Sequence, residues 1–234
     1  MTGTETNRAG LGIGIALAVV LLLGVISFAS GKPAEPAAGA HAMSDASKAR
    51  SEAARRIPGD PLALGDPAAP VVLVEFADYK CPYCAVFAER VAPPLIDQYV
   101  KTGKVRVEWR DFSFLGPDST LAAVAARAAG RQGKFWDFHD ALFAQHSEGT
   151  VVWSHATLIG LAEQLGLDKA RFQRDLADPA LSAQVDSDKA EGVRLGVNST
   201  PTVLINGKLM SGSLSVAEYQ RAIETLLAHA GTNR

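Results

Sequence analysis

Cys81-Pro82-Tyr83-Cys84 holds the only two cysteines among 234 residues, and its flanks limit what can surround it. A run of apolar residues, Val71-Val72-Leu73-Val74-Glu75-Phe76, leads in, and a helix-forming stretch from Ala85 to Val91 leads away. A short apolar run of this kind reads as a strand buried on both faces. A strand that ends where a helix begins puts the first cysteine at a helix N-terminus. Unpaired N–H groups and the helix dipole make that end partly positive. A thiol ionises most readily there, and the thiolate is the nucleophile of disulfide exchange.

Other uses of the pair are weaker. A zinc site takes about four ligands, a second C-x-x-C is absent, and His139, His146, His155 and His229 show no tight ligand spacing. A structural disulfide over so short a loop would constrain the unfolded chain little. Two inert buried cysteines remain an alternative, one that leaves the Pro-Tyr insert and the strand-to-helix setting without a purpose.

Residues 11–29 carry no charge, and a helix that spans a bilayer needs about 20 such residues. A signal-peptide core is shorter, at roughly 7–15 residues. The expectation is a short cytoplasmic N-terminus (1–10), a transmembrane anchor (11–30) and a flexible Ala/Pro-rich tether (31–56). The alternative is a cleaved signal sequence, since Ser27-Phe28-Ala29 and Ala40-His41-Ala42 both have small-x-small spacing. A dithiol that makes disulfides is useful where disulfides persist, outside the cytoplasm, so the soluble part belongs on the extracytoplasmic side. Residues 57–230 suit one globular domain. With 23 basic and 25 acidic residues and net charge −2, nothing marks a nucleic-acid partner.

Within that domain, the helix after Cys84 meets Pro93-Pro94, which should kink or break it. Residues 105–110 alternate as a half-buried strand does, completing a β-α-β unit with parallel strands. Helices follow over 121–129, with Ser119 or Asp118 as cap, and over 135–143, 158–165, 170–176 and 181–193. Asp168 and Asp178-Pro179 are start signals. The aromatic stripe of 135–143 reads as core, with His139 a packed or surface histidine. Residues 201–205 and 208–210 flank Asn206-Gly207, a strong hairpin signal. Ser215 and Glu218 form a capping box, with Tyr219, Ile223, Leu226 and Leu227 along one face of a last helix.

The order β-α-β, helical block, β-β-α, with C-x-x-C opening the first helix, resembles an α/β thioredoxin fold carrying a helical insertion at about 117–196. More narrowly it resembles the DsbA-like family of exported thiol-disulfide oxidoreductases, on three motifs: 74–84, the helical block, and Ser199-Thr200-Pro201-Thr202. The resemblance implies that Cys81, at the helix start, is the exposed attacking thiol and that Cys84, one turn deeper, resolves the mixed disulfide. It implies that Pro82 and Tyr83 tune thiolate stability and partner contact. It makes Pro201 a cis-proline, with Thr200 touching both sulfurs and the bound peptide. Glu75 matches the acidic residue this family buries beneath the dithiol; the alternative is a strand residue facing water. No cofactor and no metal are implied. The implied partners are reduced or unfolded exported proteins and a membrane enzyme that reoxidises or reduces the dithiol. The implied activity is donation of the Cys81–Cys84 disulfide. Tyr83 stands where the best-known oxidases often hold histidine, so a reductase or isomerase is the alternative. A non-catalytic chaperone or binding module is a third possibility.

Overall fold

The computed structural model describes residues 47–148, 152–212 and 214–232. The expected membrane segment and most of the expected tether lie outside them. Among the described residues no helix is long and apolar enough to cross a membrane.

Five strands form one mixed sheet: β1 (Ala63–Leu64), β2 (Val71–Ala77), β3 (Val105–Asp111), β4 (Thr202–Ile205) and β5 (Lys208–Ser211). Their spatial order is β1-β3-β2-β4-β5. β2 and β3 run parallel, as a β-α-β unit requires, and the other three pairs are antiparallel. The β4–β5 hairpin turns on Asn206 and Gly207, with φ of 44° and 85°, the left-handed pair that a two-residue hairpin turn needs. The Asn206 side chain also accepts the Val72 N–H at 2.8 Å, fastening the turn to β2.

The crossover from β2 to β3 is α1 (Pro82–Val86), a π-helical turn (Phe87–Val91), α2 (Ala92–Leu95) and a second π-helical turn (Ile96–Val100). Pro93-Pro94 therefore does not break the helix. Both prolines fall in the first turn of α2, where a missing N–H leaves no bond unmade. The widened turn before them lets the Ala92 N–H reach back to the Phe87 carbonyl.

The helical block is α3 (Pro117–Gly130), α4 (Phe135–Ala144), a 3₁₀ turn (Gln145–Glu148), α5 (His155–Gln164), α6 (Lys169–Leu176) and α7 (Pro179–Arg194), and α8 (Val216–Thr232) closes the chain. Asp168 and Asp178 cap α6 and α7, and Ser215 and Glu218 make the expected capping box. The expected cap of α3 is corrected: the helix starts at Pro117 with Gly116 as N-cap. Ser119 instead turns its hydroxyl onto Asp78.

One sheet face packs Val71, Leu73, Val105 and Val203 against Phe87, Val91, Leu95 and α8. The other packs Val72, Val74, Phe76 and Leu204 against Phe112, Leu195 and Val197. β3 departs from its half-buried expectation, because all seven of its residues are buried. α7 lies against it, and its polar residues meet a charge network instead of water. Glu108 pairs with Arg106 at 2.8 Å and Arg110 at 2.9 Å, and Arg127 bridges Asp111 and Asp188. Burial alone would raise the Glu108 carboxyl. Arg106, the N–H groups of Arg55 and Arg56, and Arg110 together hold it below its usual range. Those two N–H groups lie at 2.9 and 2.7 Å from the carboxylate, and Ala53 joins the core. The last residues assigned to the tether thus belong to the folded domain.

Candidate active site

β2 ends at Ala77, and residues 78–81 turn the chain into α1. Cys81 is the N-cap residue of that helix and Pro82 its first residue, a position that suits a residue with fixed φ and no N–H. The Cys84 and Ala85 N–H groups bond back to the Cys81 carbonyl at 3.0 and 3.1 Å. Pro82 and Tyr83 face solvent, Tyr83 being 61% exposed.

Both sulfurs are free thiols, and they differ in environment. Cys81 is not openly exposed: it is 5% accessible against 0% for Cys84. Its Sγ donates to the Thr200 carbonyl at 3.4 Å. The Cys84 thiol, acting as a hydrogen-bond donor, is the main cause that lowers Cys81 to about 6. Burial opposes this, while Thr200 and the N–H groups of Cys84 and Tyr83 assist. Burial, followed by donation to Cys81, pushes Cys84 well above an ordinary thiol. Near neutral pH Cys81 therefore favours its thiolate, giving up the bond it donates to Thr200 as a thiol, while Cys84 keeps its proton.

The Thr200–Pro201 bond is cis, and the Thr200 carbonyl lies beside Cys81 Sγ. The Thr200 hydroxyl, buried and with no hydrogen-bond partner of its own, favours the thiolate form of both cysteines. Glu75 does not face water. It pairs in register with Trp109 on β3 and Val203 on β4 and lies on the sheet face covered by the helical run that begins at Cys81. It is 4% exposed, and burial raises its carboxyl to about 8. Tyr219 of α8 senses both Glu75 and Cys84.

One residue around the dithiol was missed in the sequence. Asp78 is fully buried. Its carboxylate accepts the N–H groups of Lys80, Phe114 and Leu115 at 2.8, 2.8 and 3.1 Å, together with the Ser119 hydroxyl. It clasps the active-site turn to the loop after β3. Its own carbonyl accepts the Cys81 N–H at 3.0 Å. The available signal was an aspartate opening a turn, where such side chains bond backbone two residues on.

Residues 58–225 match the thioredoxin family model. Disulfide bond formation protein D of Bacillus subtilis is 31% identical over 172 residues, covering 72% of this chain and 77% of that protein. The chain belongs to the DsbA-like thiol-disulfide oxidoreductases. The crystal structure of oxidised BdbD from Bacillus subtilis superposes with a TM-score of 0.66 at 29% identity, over 71% of this chain and 92% of that one. A segment of the Na(+)/H(+) antiporter NhaA 1 of Salinispora arenicola is 36% identical over 166 residues, 70% of this chain, and the match spans 24% of the antiporter. As a DsbA-like oxidoreductase the chain is an enzyme of protein disulfide exchange on a thioredoxin fold.

Proposed function

We propose that this oxidoreductase is an extracytoplasmic oxidase that donates a Cys81–Cys84 disulfide to reduced or unfolded exported proteins. The observation that carries this reading is Cys81 at a helix start with its thiol lowered to about 6. A stabilised thiolate favours the reduced enzyme, which makes the disulfide a stronger oxidant. A client thiolate attacks Cys81 Sγ and the Cys81–Cys84 bond breaks. Cys84 leaves and takes a proton from the Glu75 carboxyl. A second client thiolate attacks the client sulfur of the mixed disulfide, and Cys81 leaves as a thiolate. Two client sulfurs are oxidised and the two enzyme sulfurs are reduced. A membrane enzyme then takes up the two electrons and restores the disulfide.

Cys81, Cys84 and Glu75 are the catalytic residues in this scheme. Pro82 and Tyr83 present the site to the client, and Thr200 and Pro201 form the loop that receives the extended peptide by main-chain pairing. The uncharged run 11–29 supports a single-pass anchor at 11–30, with 1–10 inside the cell and the catalytic domain outside. Cleavage of that segment would release the domain into the extracytoplasmic space.

Oxidised protein mixed with a reduced, unfolded secreted protein should generate client disulfides. Cys84→Ser should accumulate mixed disulfides through Cys81, and Cys81→Ser should form none. Trapping through Cys84 in the Cys81→Ser variant would overturn the assignment.

A further inference from the structure

A cavity of about 420 Å³ lies between the sheet and the helices. Leu73, Val107 and Val203 wall it from the sheet, and Phe87, Leu95 and Phe143 from the helices. Glu75, Trp136 and His139 also line it. Three of their buried atoms have no hydrogen-bond partner: Glu75 Oε1, Trp136 Nε1 and His139 Nε2. Buried polar atoms nearly always bond to protein or to ordered water. A molecule of water occupies about 30 Å³ of liquid, so this cavity has room for several. Glu89, Asp97 and Asp140, all exposed, stand at its rim.

His139 has a second feature. Its ring is caged by Trp109, Trp136 and Phe143 at centroid distances of 4.9, 5.0 and 4.9 Å. Its Nδ1 lies 2.9 Å from Asp140 Oδ1, on a side chain that is 76% exposed. With Nδ1–H donated to Asp140, Nε2 is left as a buried acceptor without a protein partner. The imidazole therefore stands between the buried wall of the cavity, where Glu75 lies, and its exposed rim at Asp140. Tyr79 packs edge-on to the same ring and senses both Glu75 and Asp140.

We propose that His139 and Asp140 conduct the proton that Glu75 exchanges with solvent, through water held in the cavity that Glu75 and His139 share. This rests on Glu75 being the proton partner of Cys84. When the client is oxidised, Glu75 gives its proton to the leaving Cys84 sulfur. Water regenerates the carboxyl by taking a proton from His139 Nε2–H, and Nδ1 gains one from solvent by way of Asp140. When the enzyme is reoxidised the path runs backward. Glu75 gives up a proton through water to Nε2, the Nδ1 proton leaves by way of Asp140, and the Glu75 carboxylate then accepts the Cys84 proton. One proton enters and one leaves per cycle. The imidazole alternates between its two neutral tautomers and needs no ring flip.

The test is single-turnover reoxidation of the reduced full chain by oxidised glutathione near neutral pH, where Glu75 must lose its proton before it can accept that of Cys84, followed by quenching with an alkylating agent. His139→Phe keeps a ring in the cage, and His139→Gln keeps a donor toward Asp140 but passes no proton. Positioned proton transfer contributes roughly 10²–10⁴-fold to rates; for a relay one step removed, a loss of about tenfold is expected in both variants. Added imidazole should restore the rate in proportion to its concentration, while leaving the unsubstituted protein unaffected. Asp140→Asn should be slowed in the same sense. A slow Glu75→Gln beside unimpaired His139 variants would overturn the relay alone. His139 variants slowed without imidazole rescue would reduce His139 to packing. A Glu75→Gln variant as fast as the unsubstituted protein would remove the role of Glu75 on which the relay depends.

Discussion

Two cysteines three residues apart end in opposite protonation states because of what each touches. Cys81 receives hydrogen bonds at a helix start, whereas Cys84 is buried and donates. The alkylation rate of the reduced protein should therefore follow a titration near pH 6, with label on Cys81. A midpoint at the ordinary thiol value, about 8.5, would contradict this. Glu75 gives a stability prediction with the opposite slope. Its folded carboxyl keeps a proton up to about pH 8 against an ordinary value of 4.5. Between those values the unfolded chain loses the proton first, so rising pH favours unfolding. Glu75→Gln removes this loss. In urea unfolding of the oxidised protein, the variant should match or trail the unsubstituted chain near pH 4. It should gain roughly 2–4 kcal/mol on it by pH 9. Equal pH dependence of the two proteins would return Glu75 to a passive place in the strand. The cysteine pair was legible because its chemistry depends on a local feature, the strand-to-helix turn. The burial of Cys81 was not, because Thr200, whose carbonyl accepts a hydrogen bond from its thiol, sits in a loop far along the chain.

At the scale of elements, periodicity located the strands and most helices but could not say what covers them. β3 shows this best. Arg106, Glu108 and Arg110 alternate with Val105, Val107 and Trp109, a pattern that normally means one wet face. α7 and residues 53–56 supply the missing cover, and that cover is charged: Arg55 reaches Asp188 at 2.6 Å and also Glu191. Arg127 of α3 closes the network between Asp111 at 2.5 Å and Asp188. Arg127→Met would leave the buried Asp111 carboxylate without a cation and Asp188 with Arg55 alone. The expected loss is roughly 3–5 kcal/mol in chemical unfolding, with exchange chemistry at the dithiol retained in the fraction that folds. A loss below about 1 kcal/mol, as for an exposed ion pair, would show that water reaches the network. The π-helical turns before and after α2 were equally hidden, since Pro93-Pro94 reads as a break unless an i→i+5 turn is allowed for.

At the scale of the molecule, the half-folds were legible because each carries local punctuation: Cys81 at a helix start, Asn206-Gly207 in a hairpin, Ser215 and Glu218 in a capping box. The helical block between them gave its boundaries through Asp168 and Asp178 but not its docking, which depends on Asp188 and Gly192 of α7. A Cβ at Gly192 would come within 2.8 Å of Phe112 and 3.0 Å of Phe76, so only glycine lets α7 approach the sheet this closely. The same architecture serves oxidases and reductases, and the thiolate energetics at Cys81 decide between them. The most direct measurement is the reduction potential of the Cys81–Cys84 couple, by equilibration of the full chain with glutathione buffers. The account predicts a value less reducing than about −200 mV, toward the about −120 mV of strong oxidants. A value at or below the about −270 mV of thioredoxin would contradict the oxidase and assign the chain to the reductases.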